Sequence, residues 1–155
     1  MNWLKLIVSI LLCQGAGIAG SIFNIVSIPI WYATINKPFF NPPNWVFAPV
    51  WTTLFLLMGI SLYLIWEKGF DKWEVKKGLY LFGFQLILNI MWSALFFGLR
   101  SPALAFIEII ILWIAILLTI TQFRKVSKMG AWLLVPYICW VSFAALLNLS
   151  IWLLN

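Results

Sequence analysis

Gln85, Asn89, Trp92 and Phe96 recur at intervals of four, three and four residues. On a helix that spacing puts them on one face. Three other stripes share the habit: Gln14, Gly17, Ser21 and Asn24; Trp51, Phe55, Met58 and Leu62; and Tyr137, Trp140, Ala144, Asn148 and Trp152. Amides donate and accept hydrogen bonds. Indole and phenyl faces stack on planar rings. A cavity walled by such residues takes a large, flat, mostly apolar ligand held by a few polar contacts. The competing reading is amide bonding between helices with aromatic filling. Spacing alone leaves both open.

Other chemistry is poorly supplied. The chain has no histidine, which removes His-ligated haem, His-containing zinc sites and a Ser-His-Asp relay. No metal site is expected. Cys13 and Cys139 each stand alone inside apolar runs and read as small buried hydrophobes. No paired carboxylates and no phosphate-cradling glycine loop are present. Glu108 is the one acid inside an apolar run. A charge at a span's centre costs roughly 2.5–3.5 kcal/mol on the insertion scale, so Glu108 is a functional candidate or a protonated or amide-paired structural residue. A proton-relay pump is poorly supported by one acid without histidine.

The elements that position these residues follow from composition. Of 155 residues, 65% are hydrophobic and 9% charged, against about 25% charged in soluble domains. Mean hydropathy is +1.05. Secreted scaffolds, Rossmann enzymes and nucleic-acid modules are thereby excluded, and the +6 net charge is not a nucleic-acid signal. Five apolar runs, 3–28, 45–66, 76–98, 103–123 and 131–153, reach the ~20 residues that a spanning helix needs. The expected fold is an all-α integral membrane bundle of five transmembrane helices in one domain, 1–155. The N-terminal run loosely resembles a signal peptide, but its apolar character continues to Ile28, so it reads as a span. Small-xxx-small pairs, Ala16 with Gly20 and Gly17 with Ser21, permit close helix approach, within the chain or between copies.

Charge sets the expected orientation. Lys5, Lys68, Lys72, Lys76, Lys77, Arg124, Lys125 and Lys128 share one side, and Lys37 and Arg100 the other. The positive-inside bias puts the N-terminus in the cytoplasm and the C-terminus outside. The longest connection, 29–44, holds Pro29, Pro38, Pro42 and Pro43 and lies outside as a proline-stiffened lid. Most stripe residues fall in the half of the bundle beneath it. Lys37 and Arg100 read as solvated loop charges, or as partners of an acidic ligand group.

The segment Trp31–Gly59, WYATINKPFFNPPNWVFAPVWTTLFLLMG, closely resembles the signature of the TspO/translocator protein family. That family is also called the tryptophan-rich sensory proteins or peripheral benzodiazepine receptors. The matching positions are Trp31, Tyr32, Lys37, Pro38, Pro42, Pro43, Trp45, Pro49, Val50 and Trp51. QLILNIMWSALFFG places Gln85, Asn89 and Trp92, and LLVPYICWVSFAALLN places Pro136, Tyr137, Trp140, Ala144 and Asn148. The first and fourth runs match mainly in hydropathy.

The resemblance implies a five-helix bundle, often a homodimer, with a pocket for porphyrins, especially protoporphyrin IX, and for aromatic drug-like molecules. It implies tetrapyrrole or stress sensing, in some members with light- and oxygen-dependent porphyrin breakdown. Carried over with the stripes, the ligand-binding residues are Tyr32, Trp51, Phe55, Asn89, Trp92, Trp140, Ala144 and Asn148. Lys37, Pro38, Pro42, Pro43 and Trp45 belong to the lid, and Trp51 and Trp140 are the photochemical candidates. Porphyrin would be ligand or substrate, with no resident cofactor. Membrane lipid and a second copy are the expected partners. Where the animal members' cholesterol segment carries Tyr and Arg, this chain has Leu149 and Leu153, and it stops at Asn155 without a polar tail. Those departures suit a bacterial plasma-membrane protein. The alternatives are a tetrapyrrole or lipid transporter, for which the sequence offers no inverted repeat and no broken helix pair, and a structural bundle whose aromatic interior is packing.

Overall fold

The computed structural model describes residues 1–155. Every regular element is helical: α1 Trp3–Ser27, α2 Asn44–Trp66, α3 Trp73–Ser93, α4 Pro102–Val126, α5 Lys128–Trp132 and α6 Val135–Leu154. Single π turns extend α1 over Ile28–Tyr32 and α3 over Ala94–Gly98. Five helical stretches are long and apolar enough to cross a membrane: Trp3–Tyr32, Asn44–Trp66, Trp73–Gly98, Pro102–Val126 and Lys128–Leu154. The five expected spans are therefore present, with different ends.

Three differences have local causes. The first connection begins after Tyr32, not at Pro29. Pro29 has no N–H to give and clashes with the carbonyl four residues back; the chain answers by widening into the i→i+5 pattern and continuing for one more turn. The third span starts earlier, at Trp73, because Lys72 is the last extended residue. The fifth is two helices. Leu133 and Leu134 turn between α5 and α6, and Pro136 stands in the first turn of α6, where its missing N–H costs nothing.

α1 packs on α2 and α3, α3 on α4, and α4 on α6, with α5 bridging α4 and α2. In lipid there is no water to expel between helices, so close packing and interhelical hydrogen bonds hold them. Glycines make the closest contacts. A Cβ on Gly59 would stand 2.7 Å from the Ile10 Cα, so the backbones of α1 and α2 touch there. A Cβ on Gly78 would meet Phe123 at 3.1 Å, and one on Gly130 would meet Ile65 at 3.3 Å. All three contacts lie in the half of the bundle away from the 33–43 loop. Ser61 adds a buried hydrogen bond to the Gly130 carbonyl, 2.7 Å.

At the other end the turn 99–101 joins α3 to α4. Arg100 takes a left-handed conformation there, φ 52°. The 33–43 loop is tied down. The Asn36 N–H donates to Asn155 Oδ1 and Asn155 Nδ2 donates to the Asn36 carbonyl, both 2.9 Å, while Asn36 Nδ2 donates to the Leu154 carbonyl at 3.3 Å.

Candidate ligand cavity

Beneath that loop α1, α2, α3 and α6 separate around a cavity of about 380 Å³, within the ~300–1,000 Å³ range of small-molecule sites. α4 and α5 contribute nothing to its wall. From α1 and its π turn come Gln14, Gly17, Ile18, Gly20, Ser21, Asn24, Ile25, Ile28 and Tyr32. From α2 come Asn44, Phe47, Ala48, Trp51, Thr52 and Phe55, and from α3 and its π turn Asn89, Trp92, Ser93, Phe96 and Phe97. α6 gives Ala144, Leu147, Asn148 and Ile151. No wall residue carries a charge.

Two aromatic panels stand in this wall. Trp51 and Phe55 of α2 are stacked, centroids 5.6 Å apart and planes 30° apart. Trp92 and Phe96 of α3 are stacked at 5.1 Å and 22°. Phe97 meets Phe96 edge-on at 4.8 Å and Tyr32 at 5.7 Å. The π turns matter here. The α3 turn brings the consecutive residues Phe96 and Phe97 both onto the wall, and the α1 turn carries Tyr32 to it. Such turns often occur at functional sites.

An amide holds the α3 panel in place. The Trp92 indole N–H donates to Asn148 Oδ1 at 3.0 Å, and Asn148 Nδ2 donates to the Pro102 carbonyl at 2.7 Å. Both ends of Asn148 are thus occupied within the protein, and its role toward a ligand runs through the orientation of Trp92. Asn89 Nδ2 donates to the Tyr137 hydroxyl, which donates to Gln85 Oε1, both 2.9 Å. Tyr32 donates to Asn41 Oδ1 at 2.8 Å. By contrast Asn24 Oδ1 is buried and has no partner.

Of the eight residues read as ligand-binding, Tyr32, Trp51, Phe55, Asn89, Trp92, Ala144 and Asn148 lie on the wall. Trp140 does not, which corrects the expectation that it lines the pocket. Its ring packs on Phe47 at 6.1 Å and on Phe143 at 5.4 Å, behind the wall residue Phe47. At about 100° per residue, Trp140 sits roughly 80° around α6 from Asn148. It is the edge of its stripe. Trp152 likewise leaves the stripe and packs on Phe106 at 5.9 Å.

The lid expectation also changes. Lys37, Pro38, Pro42, Pro43 and Trp45 are all off the wall; of the segment 29–44, only Tyr32 and Asn44 reach it. Lys37 Nζ lies 4.7 Å from the Tyr32 ring centroid and donates to the Ile35 carbonyl at 3.3 Å. Trp45 is 74% exposed. Glu108 is off the wall too, buried with neither carboxylate oxygen hydrogen-bonded. Among the wall residues that sequence reasoning missed, Phe47, Phe97, Leu147 and Ile151 carry no spacing signal separate from the general apolar pattern.

The sequence model of the TspO/MBR family matches residues 9–153. The chain is 49% identical to the tryptophan-rich protein TspO of Chlorobaculum tepidum over 152 residues, 98% of this chain and 96% of that one. It is 49% identical to the protein of the same name from Archaeoglobus fulgidus over 155 residues, 100% and 99% of the two chains. It is 43% identical to the translocator protein of Ovis aries over 124 residues, 79% of this chain and 73% of the sheep protein.

Proposed function

Because the chain belongs to the TspO/MBR family, a family of five-helix integral membrane proteins, we propose that it is a membrane receptor and sensor that binds porphyrins such as protoporphyrin IX. Aromatic drug-like molecules compete for the same cavity. The observation that carries this reading is the uncharged wall with two stacked aromatic panels on α2 and α3. A flat macrocycle stacks on such faces, and Asn24 Oδ1 and the Asn89 amide supply polar contacts.

Light-dependent breakdown of bound porphyrin accompanies binding. The pigment absorbs light and dioxygen is the oxidant. The excited pigment passes its energy to dioxygen, which adds to the macrocycle with both oxygen atoms ending in the product, so no outside electron is needed; the wall indoles of Trp51 and Trp92 hold the ring and quench reactive oxygen. Trp140, a layer back, is a weaker candidate for either role. The protein lies in a plasma membrane with its N-terminus in the cytoplasm, supported by the eight-to-two distribution of cations, and pairs as a homodimer.

The test is a fluorescence titration with protoporphyrin IX in detergent, in the dark and then under light. Wild type should show saturable quenching of Trp emission. Trp51→Ala and Trp92→Ala should each weaken binding about tenfold, the upper end of what an aromatic contact supplies, and Trp140→Ala should bind nearly as wild type. A linear response that ignores all three substitutions would mean partition into detergent and would end the porphyrin reading.

A further inference from the structure

We infer that the cavity opens sideways into the bilayer, between α1 and α2, and receives its ligand from the hydrocarbon, not from water through the 33–43 loop. The two helices form a wedge. Their backbones touch at Ile10 and Gly59. One turn along α1, Gln14 Nε2 donates at 3.0 Å to the Thr52 carbonyl, which lies about two turns along α2 from Gly59. The next contact is between Gly17 and the Phe55 ring, where an added Cβ would lie 2.6 Å from the ring. Beyond it, the facing stripes belong at once to the cavity wall and to the outer surface. Ile18 is 66% and Ile25 71% exposed, and Ala48 and Thr52 are exposed as well.

Depth identifies what lies outside. Ile18 falls about halfway along the 30-residue span Trp3–Tyr32, so it sits near the bilayer centre, where only acyl chains and dissolved apolar molecules are found. The opening carries no charge that would have to be desolvated. The loop end is closed by contrast: Tyr32 is 4% exposed and pinned to Asn41, and Asn36 is clasped to Asn155. The fitting occupants are a lipid acyl chain in the resting protein and, on exchange, a planar membrane-dissolved molecule entering edge-on. Only the identity of that second occupant rests on the porphyrin reading.

The opening can be tested without porphyrin. The protein is placed in phosphatidylcholine vesicles whose acyl chains carry a diazirine, irradiated, and mapped at single-residue level by mass spectrometry. Adducts are expected on the interior wall residues Trp92 and Ala144 as well as on lipid-facing Ile111 of α4, the internal standard. Ile18→Trp and Ala48→Trp, which add bulk at the mouth on its exposed side, should reduce the interior adducts and leave Ile111 unchanged. Labelled Ile111 with unlabelled Trp92 and Ala144 would overturn the inference. So would interior adducts indifferent to both variants, or adducts that vanish as the protein-to-lipid ratio rises, which would put a second copy over the mouth.

Kinetics give the second arm. Protoporphyrin IX delivered from donor vesicles should both associate with and dissociate from the mouth variants at least about tenfold more slowly, since a narrowed entrance slows entry and exit alike. Asn36→Ala, which loosens the loop, should leave the rate alone. A faster rate in Asn36→Ala with unchanged mouth variants would place the entrance at the loop. Interior adducts without any porphyrin binding would refute the porphyrin reading and leave the sideways opening standing.

Discussion

The two halves of the bundle are built from the same apolar helices and have opposite architecture. Away from the loop, Gly59, Gly78 and Gly130 let helices meet at backbone or ring contact. Toward the loop, Trp51, Phe55, Trp92 and Phe96 stand between helices and keep them apart. The lesson concerns side-chain size. In a membrane both halves are apolar, so hydropathy cannot distinguish them. Where Gly59 faces a backbone the helices close, and where the wall aromatics stand a cavity remains, one of their rings, Trp92, fixed by the Asn148 amide that accepts its N–H.

The comparison is broken most severely at Gly59. Gly59→Leu forces a side chain into the Ile10 backbone, which cannot move aside as a ring can, and should cost on the order of 3 kcal/mol or more. The expected result is a large fall in the detergent melting temperature. An unchanged melt would mean that the closed half is not held there. Asn148→Leu comes next. It strips the Trp92 indole and the Pro102 carbonyl of their partner, so about 1–3 kcal/mol of stability should go. Porphyrin binding should fall with it, because Trp92 loses its fixed orientation; retained affinity would show that the amide does not set the panel.

Gly17→Ala sharpens the contrast. Its Cβ also lands too close, 2.6 Å, but on the Phe55 ring, which can swing toward the cavity. Melting should change little, by under about 1 kcal/mol, while ligand affinity drops several-fold. Equal losses in both measurements would erase the distinction between a backbone contact and a ring contact.

The smallest effect lies at the water-facing edge of the closed half. The Tyr63 hydroxyl donates to Glu67 Oε1 at 2.6 Å, and this holds the Glu67 carboxyl below its ordinary value. A depressed folded value stabilises above the unfolded value and is lost as pH falls through the folded one. Melting should therefore decline a little on going below the usual carboxylate range, and Tyr63→Phe should flatten that decline. An identical acid limb in both proteins would remove the link.

Much of this was legible from spacing. Five spans and the four stripes needed only the 3.6-residue period and the length of the apolar runs. Gln14, Gly17, Ser21 and Asn24 all reach the cavity wall, as their shared face requires. Trp140 was misplaced because a stripe at intervals of three and four drifts around the helix, and at its edge the ring packs on a neighbour, Phe47, that no spacing reveals. The π turns were hidden for a related reason. Pro29 signals a disturbance but not whether the helix stops or widens, and Ala94–Gly98 contains no breaker before its glycine. The prolines announce the stiffness of the loop, whereas its fastening to Asn155 lies 119 residues away in sequence.

Those long separations have a consequence in time. A chain is made from its N-terminus, so α1, α2 and α3 can be in the membrane while α6 is still unmade. Three walls of the cavity then stand without the fourth. During that interval the Trp92 indole N–H lacks Asn148, 56 residues downstream, and must find another acceptor in a medium that offers few. The arrival of α6 completes the site and, in the same step, removes a polar group left bare to lipid, so the binding chamber is itself the last checkpoint of assembly.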